Sequence, residues 1–378
     1  MELISVELWL EIFDYLDVNS LWYSFRGLNR CIDEMLDQAQ LHINLDKKGK
    51  YDYFMKNILP SIDIRRVRSL KLRKQNKIKH FFSITPLNSF VQLRLLSLEY
   101  MYSSKDHLFT FWNQLSSLKH LRSLKVIFGS KFRPNNNLDE KQFLIRAIFN
   151  HDFCPLLTRF IIKNYSDNKL NTDIPIPSLV QTTKPTNIEH LSIDRLTIVD
   201  LMKLLPALQH VKSFCVEDEL SHNYEFFTQP IVPVAIPMLS ECKTFDLSVS
   251  ADIVFEHLRY LLKHTPNLKK LIIYNEWHLL DVEKWEWLLS GRCPRLIEFE
   301  LSCNGDDCDR DYEKAGRVFE KACDTITFWK IRNALVMIES FAKDDFYYTT
   351  VEFHIGKTVE EQLRLEFPHR MDTAYDFE

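Results

Sequence analysis

The segment that decides the fold of this chain returns in many copies, and its clearest copy reads Cys293-Pro294-Arg295-Leu296-Ile297-Glu298-Phe299-Glu300-Leu301-Ser302-Cys303. A second copy, residues 265–273, has the same order of a proline, a leucine and then two apolar residues separated by one position. Side chains two positions apart point to the same face of a β-strand. Each copy therefore predicts a short strand with one buried face, and such strands need neighbours to form a core.

The apolar pair recurs along the chain at intervals of about 28 residues. Its first members are Ile43, Leu70, Leu96, Leu124, Phe160, Leu191, Phe214, Phe245, Leu271, Phe299, Phe328 (with Ile331 as its partner) and Val351. This period, with a helix or an irregular turn after each strand, is typical of leucine-rich repeats. The sequence thus predicts an α/β fold in which residues 43–378 form an irregular leucine-rich-repeat solenoid of about 11–12 repeats. We expect parallel strands on its concave face and helices outside; the alternative is an unrelated α/β domain with scattered apolar pairs.

The first 32 residues carry a different pattern, which predicts amphipathic helices. One wide apolar stripe is formed by Leu8, Trp9, Ile12, Phe13 and Leu16, and the following stretch adds Leu21, Phe25 and Leu28. Ser5 is placed to cap the first helix. Because about 30 residues are too few for an independent core, we expect the stripe to pack on another chain.

This N-terminal stretch resembles an F-box, the helical module that docks onto the Skp adaptor of cullin-RING ubiquitin ligases. The matching segments are Val6-Glu7-Leu8, Ile12-Phe13-Asp14-Tyr15-Leu16 and Ser20-Leu21. The usual proline has become Ser5, and the late Val-Cys-x-x-Trp segment reads Gly27-Leu28-Asn29-Arg30-Cys31-Ile32. The copy at 293–303 resembles the cysteine-containing repeat that commonly follows an F-box, which implies that Cys293 and Cys303 are buried thiols and not metal ligands.

The resemblance implies an F-box over residues 1–42 and the function of a substrate-recognition adaptor in an SCF-type ubiquitin ligase. The implied partners are a Skp-family adaptor, through it a cullin scaffold, and a protein substrate. The implied adaptor-binding residues are Val6, Leu8, Ile12, Phe13, Leu16, Leu21 and Phe25. The alternative is that these helices only cap the repeats of a protein-interaction scaffold without a ubiquitin-ligase role.

Residues beside the buried pairs point to the concave face and are the candidates for binding a protein substrate. They are Lys71, Arg73, Arg159, Lys163, Glu298 and Glu300. A basic run, Arg65 to Lys79, is suited to an acidic or phosphorylated segment, with a solvated strand edge as the alternative. Nucleic acid is a weaker expectation, because the net charge of −4 leaves only this one local cluster.

Composition excludes several other classes of function. Glycines are too far apart for a dinucleotide fingerprint, a Walker A loop or a nucleophile elbow. There is no Cys-x-x-Cys, and Asp307-x-Asp309-x-Asp311 lacks the glycine and glutamate of a calcium loop. We therefore expect no metal, no cofactor and no enzymatic activity. An enzymatic function would be supported by a deep pocket that brings together several of His190, Asp194, Cys215, Glu217 and Asp246.

The same composition bears on where the protein resides. No apolar run of about 18 residues is present, which predicts no membrane span. The scattered cysteines fit reduced thiols, so we expect the protein in the cytoplasm, the nucleus or both.

Overall fold

The structure is a computed structural model of the 378-residue chain. It describes residues 4–46, 50–101, 108–129, 138–149, 153–165, 185–221, 237–275, 277–306, 317–318, 320–321, 326–331, 334–343 and 346–355. The chain divides into two compact units. Unit 1 is Met1–Leu196 with Asp200–Val211, and unit 2 is Thr197–Val199 with Lys212–Glu378. The fold is mixed α/β with mostly parallel strands, which confirms the predicted class.

Strands and helices mostly alternate along the described chain from residue 41 onward. The helices are α1 (Val6–Asp14), α2 (Val18–Phe25), α3 (Arg30–Leu36), α4 (Lys50–Tyr53), α5 (Gln75–Ile84), α6 (Leu108–Asn113), α7 (Leu138–Ile148), α8 (Ile198–Leu204), α9 (Phe255–Lys263), α10 (Val282–Arg292) and α11 (Thr327–Ile331). The strands are β1 (Leu41–Asn44), β2 (Val67–Arg73), β3 (Leu95–Met101), β4 (Ser123–Gly129), β5 (Arg159–Tyr165), β6 (His190–Thr197), β7 (Ser213–Ser221), β8 (Thr244–Val249), β9 (Lys270–Asn275), β10 (Glu298–Asp306), β11 (Leu335–Lys343) and β12 (Phe346–Ile355).

Unit 1 is built on the parallel strands β1 to β6, which pair in chain order. Their register aligns the first residues of the apolar pairs: Leu70 with Leu96, Leu96 with Leu124, Leu124 with Phe160, and Phe160 with Leu191. All of these side chains are buried. One row of the core thus passes from strand to strand, and each strand supplies one buried residue to it. Helix α5 packs against β2 and β3.

Unit 2 begins in the same way, with parallel strands β7 to β10 in chain order. Phe214, Phe245, Leu271 and Phe299 are aligned by the register and buried. Beyond β10 the pattern changes, because β12 pairs antiparallel to β10 and β11 pairs antiparallel to β12. The order in this unit is β7-β8-β9-β10-β12-β11.

Two of the predicted repeat strands are wrong. Phe328 and Ile331 lie in the short helix α11, and Val351 lies on an antiparallel strand of a hairpin instead of a parallel repeat strand. The physical reason is the aromatic packing at this end of the sheet. The fully buried ring of Trp329 lies 4.9 Å from that of Phe353 and 6.5 Å from that of Phe299, so helix and hairpin together cover the last parallel strand.

Candidate protein-docking surfaces

Three capped helices form the N-terminal module, residues 4–40. Ser5 accepts a hydrogen bond from the backbone N–H of Leu8, which confirms the predicted cap of α1. Asp17 caps α2 and Asn29 caps α3 in the same manner, with N–O distances of 2.9 Å to Asn19 and 2.9 Å to Ile32. Capping side chains satisfy the free N–H groups of a first helical turn, so these short helices have defined starts.

The inward face of the module is aromatic. Phe13 is fully buried, and its ring centroid lies 5.7 Å from that of Trp9 and 5.3 Å from that of Phe25. Leu21 is also fully buried. Phe13 and Leu21, which the sequence placed among the adaptor-binding residues, therefore hold the helices together and present no surface to a partner.

The outward face of α1 is apolar and open. Leu8, Ile12 and the C-cap residue Tyr15 follow one another at helical spacing and so lie along one side of α1. Together with the exposed Ile4, which precedes the N-cap Ser5, we call them the α1 stripe. Leu8 is 52 % exposed, Ile12 40 % and Tyr15 89 %. Val6 is exposed at the start of the same helix, while Leu16 and Phe25 are half-buried. These clustered exposed apolar side chains make this face of α1 a candidate interaction site.

The rest of the module is fixed to the first strand of unit 1. Helix α2 contacts β1, and Val18 and Leu36 are fully buried. The Arg66 guanidinium donates to the backbone oxygen of Leu36 at 2.8 Å and also to that of Ala39, next to the C-terminus of α3. Burial lowers the pKa of Arg66 from its usual value. The module and the first repeat are thereby joined through buried contacts.

The exposure of Leu8 and Phe13 bears on the choice between a docking module and a cap, because burial of both against the first strand of unit 1 would favour a cap and exposure of both would count against it. The two residues differ in the structure: Leu8 is exposed, whereas Phe13 is buried against Trp9 and Phe25 of the module itself. Helices α2 and α3 carry the attachment, whereas α1 carries the open apolar face.

In unit 1, Lys71, Arg73, Arg159 and Lys163 lie on β2 and β5 and share one face of the sheet. The register places Lys71 opposite Ser97 and Arg73 opposite Glu99. Between the two groups, Lys125 Nζ lies 2.6 Å from Glu99 Oε1. Burial, followed by the charge of Glu99, raises the pKa of Asp46 above its usual value. This face is therefore a mixed surface on which cations predominate.

The predicted basic run is dispersed in the structure. Arg65 forms a bidentate exposed pair with Asp63, with both N–O distances 3.0 Å. Arg66 is used in the attachment described above, and the Lys77 ammonium lies 4.9 Å from the ring centroid of Tyr51. The cluster that is dense in sequence is therefore not one surface patch.

In unit 2, Glu298 and Glu300 lie on β10, on one face with Lys270 and Asp246. Lys270 Nζ is 2.7 Å from Glu298 Oε2, and the buried His354 Nδ1 is 3.9 Å from Glu300 Oε2. Burial raises the pKa of Asp246; hydrogen bonding from Cys215 opposes this, and the charges of Glu217 and Glu300 add to it. This face is acidic.

Cys293 and Cys303 are buried, and burial raises the pKa of each thiol to about 12. Thiols with so high a pKa stay protonated near neutral pH and bind metal poorly. In the residues that the structure describes, no group of three or more His, Cys, Asp or Glu side chains is arranged to hold a metal ion. The Asp307-x-Asp309-x-Asp311 segment lies outside the described residues.

The residues of the enzyme alternative are divided between the units. His190 and Asp194 belong to unit 1, while Cys215, Glu217 and Asp246 belong to unit 2. Within unit 2 the strand register places Cys215 directly opposite Asp246.

Sequence reasoning did not place Ile4 and Tyr15 among the adaptor-binding residues, and it missed Arg94 and Arg122, which stand two positions before an apolar pair. Arg68 stands at the same offset and was counted only in the basic run. Each of these arginines stands the same number of residues before its apolar pair. This regularity is visible only when the copies are aligned on their buried pairs.

Across the described part of the chain, no helix is both long and apolar enough to cross a membrane. No protein-family model matches the sequence, and no curated protein is detectably similar to it.

Proposed function

We propose that this protein is a substrate-recognition adaptor of an SCF-type cullin-RING ubiquitin ligase. In this proposal residues 1–42 are an F-box that binds a Skp-family adaptor, and residues 43–378 are a leucine-rich-repeat solenoid that binds a protein substrate. The chain supplies no nucleophile. It contributes to catalysis by holding substrate lysines near ubiquitin carried by other subunits, in the cytoplasm or the nucleus.

The observation that carries the proposal is the exposure of the α1 stripe on an otherwise well-packed module. Leu8 and Ile12 are 52 % and 40 % exposed, although the same helix buries Phe13 completely. A helix that served only as a cap would turn its largest apolar side chains toward the repeat. An open stripe beside a buried attachment is the arrangement expected of a docking module that also holds its solenoid in a constant orientation.

A second candidate is a repeat scaffold whose N-terminal helices are a cap, without a role in ubiquitin transfer. Its support is the buried attachment of α2 and α3 to the first strand, through Leu36 and Arg66. In that case the α1 stripe has a different partner or none.

The deciding experiment is co-purification of the full chain with a Skp-family adaptor. The test variant is Leu8→Asp with Ile12→Asp, since both side chains are exposed and their replacement leaves the buried ring of Phe13 in place. We expect stoichiometric binding by the wild type and at least a tenfold weaker complex for the variant, about 1.4 kcal/mol or more.

The matched control is Ile84→Asp with Val91→Asp, because these unit 1 side chains are 56 % and 49 % exposed and lie far along the sequence from α1. The control is expected to bind as the wild type does. Failure of a folded wild type to bind any Skp-family adaptor would refute the ligase function and leave the scaffold.

A further inference from the structure

Three arginines on consecutive strands form a row at the start of β2, β3 and β4. They are Arg68, Arg94 and Arg122, which we call the arginine row. The backbone N–H of Arg94 donates to the oxygen of Arg68 at 2.8 Å, and that of Arg122 donates to the oxygen of Arg94 at 2.8 Å. Neighbouring members are thus one strand apart, about 4.8 Å.

The charges of the row are not balanced by the rest of the described chain. Arg94 and Arg122 are exposed and Arg68 is half-buried. Among the described residues, no carboxylate forms an ion pair with any of the three. Burial lowers the pKa of Arg68, the charge of Arg94 lowers it further, and the charge of Asp14 opposes both. Like charges at this spacing repel one another, and a bound anion would relieve that repulsion.

We propose that the arginine row binds an acidic peptide segment whose carboxylates lie along it. A guanidinium group pairs with a carboxylate through two parallel hydrogen bonds, which a compact ammonium cannot do. Carboxylates on one side of a peptide are separated by about 5–6 Å in a helix or about 6.8 Å in a strand. Long arginine side chains reach both spacings. The inference does not depend on the adaptor function, since it concerns another surface.

The surroundings of the row favour a peptide over a nucleic acid. The next residues along β2, β3 and β4 are Ser69, Leu95 and Ser123, which offer no aromatic ring for a base to stack on. The row is one residue wide, and the chain as a whole carries a net charge of −4. Duplex binding draws on many phosphate contacts over a broad basic surface, which three guanidinium groups in a line do not provide.

The experiment is fluorescence anisotropy of the full chain with a labelled peptide of alternating Glu and Ser. The test variant is Arg94→Glu with Arg122→Glu, which reverses the two exposed charges of the row. We expect binding by the wild type that weakens as salt rises, and at least a tenfold loss in the variant. Arg94→Lys with Arg122→Lys should lose affinity by a smaller factor, because charge remains and bidentate pairing does not.

Unit 2 offers a control with the same change in net charge. Lys243 and Lys269 are exposed at the corresponding place, since the N–H of Lys269 donates to the oxygen of Lys243 at 2.9 Å. Lys243→Glu with Lys269→Glu should bind the peptide as the wild type does. An equal loss in both double variants, absence of peptide binding, or tighter binding of single-stranded DNA or of phosphatidylserine vesicles would each overturn the proposal. Thermal unfolding of every variant shows whether the comparison is between folded proteins.

Discussion

At the scale of single residues, burial separates side chains that look equivalent in the sequence. Leu8 and Phe13 both belong to the predicted apolar stripe, yet one is exposed and the other is wholly buried between Trp9 and Phe25. Helical periodicity places the two at opposite edges of one apolar stripe, about 140° apart, and does not say which edge is covered. The division depends on the angle at which α1 meets α2 and α3, which is a tertiary property.

Asp17 provides a residue-scale prediction with a pH dependence. It accepts hydrogen bonds from the N–H groups of Asn19 and Ser20 and pairs with Lys50 at 3.5 Å. Burial raises the pKa of Asp17, but the Ser20 hydrogen bond, the Lys50 charge and the Asn19 hydrogen bond together bring it below its usual value. Asp17→Ala should lower the free energy of unfolding at pH 7 by about 1 kcal/mol.

The sign follows from the lowered pKa of Asp17 in the folded protein. The stabilisation by the carboxylate is complete above its unfolded pKa of about 3.9 and is lost as pH falls through the folded value. The difference between wild type and Asp17→Ala, measured by urea unfolding, should therefore shrink in acid. Asp17→Asn retains the cap and should be the milder variant at pH 7; a difference independent of pH would contradict this account.

At the scale of elements, the repeat pattern predicted the parallel strands well, because a buried pair at alternate positions is a local property. It failed at Phe328 and Val351, where the apolar residues belong to a helix and to an antiparallel hairpin. An apolar pair predicts which side chains are buried. It does not predict whether the strand runs parallel or antiparallel to its neighbour. Direction is set by pairing with β10 and by the packing of Trp329.

Arg65 and Arg66 offer an element-scale comparison between adjacent arginines. Arg66 bonds the carbonyl groups of Leu36 and Ala39, whereas Arg65 pairs with Asp63 in the solvent. Arg66→Ala leaves buried carbonyl groups without their charged donor, so we expect a loss of about 1.5–3 kcal/mol in the free energy of unfolding. Arg65→Ala should cause no measurable change. Equal effects in chemical denaturation would show that Arg66 does not attach the module.

At the scale of the whole molecule, the N-terminal module covers the first strand of the unit 1 sheet. Strand β1 pairs with β2 on one side and contacts α2, and its inward residues Leu41 and Ile43 are each 1 % exposed. An uncovered strand edge with apolar neighbours is a template for association. The module therefore has a structural role in addition to the proposed docking role.

Removal of residues 1–40 tests this structural role. We expect the shortened chain to self-associate in size-exclusion chromatography with light scattering, under conditions in which the full chain does not, because Leu41 and Ile43 lose their cover. Leu8→Asp with Ile12→Asp is the control, since it keeps the cover and removes only exposed apolar surface. A monomeric shortened chain with an unchanged unfolding temperature would show that the module adds nothing to the sheet.

The α/β class, most of the strands and the amphipathic character of the N-terminal helices can be read from the sequence alone. These features follow from local periodicity, which sets the side chains that must leave water. The exposure of Leu8 and Ile12 on α1, the attachment of the module through Arg66 and the hairpin of the last strands depend on the tertiary structure. It alone aligned Arg68, Arg94 and Arg122, because strand register joins residues that the chain holds about one repeat apart.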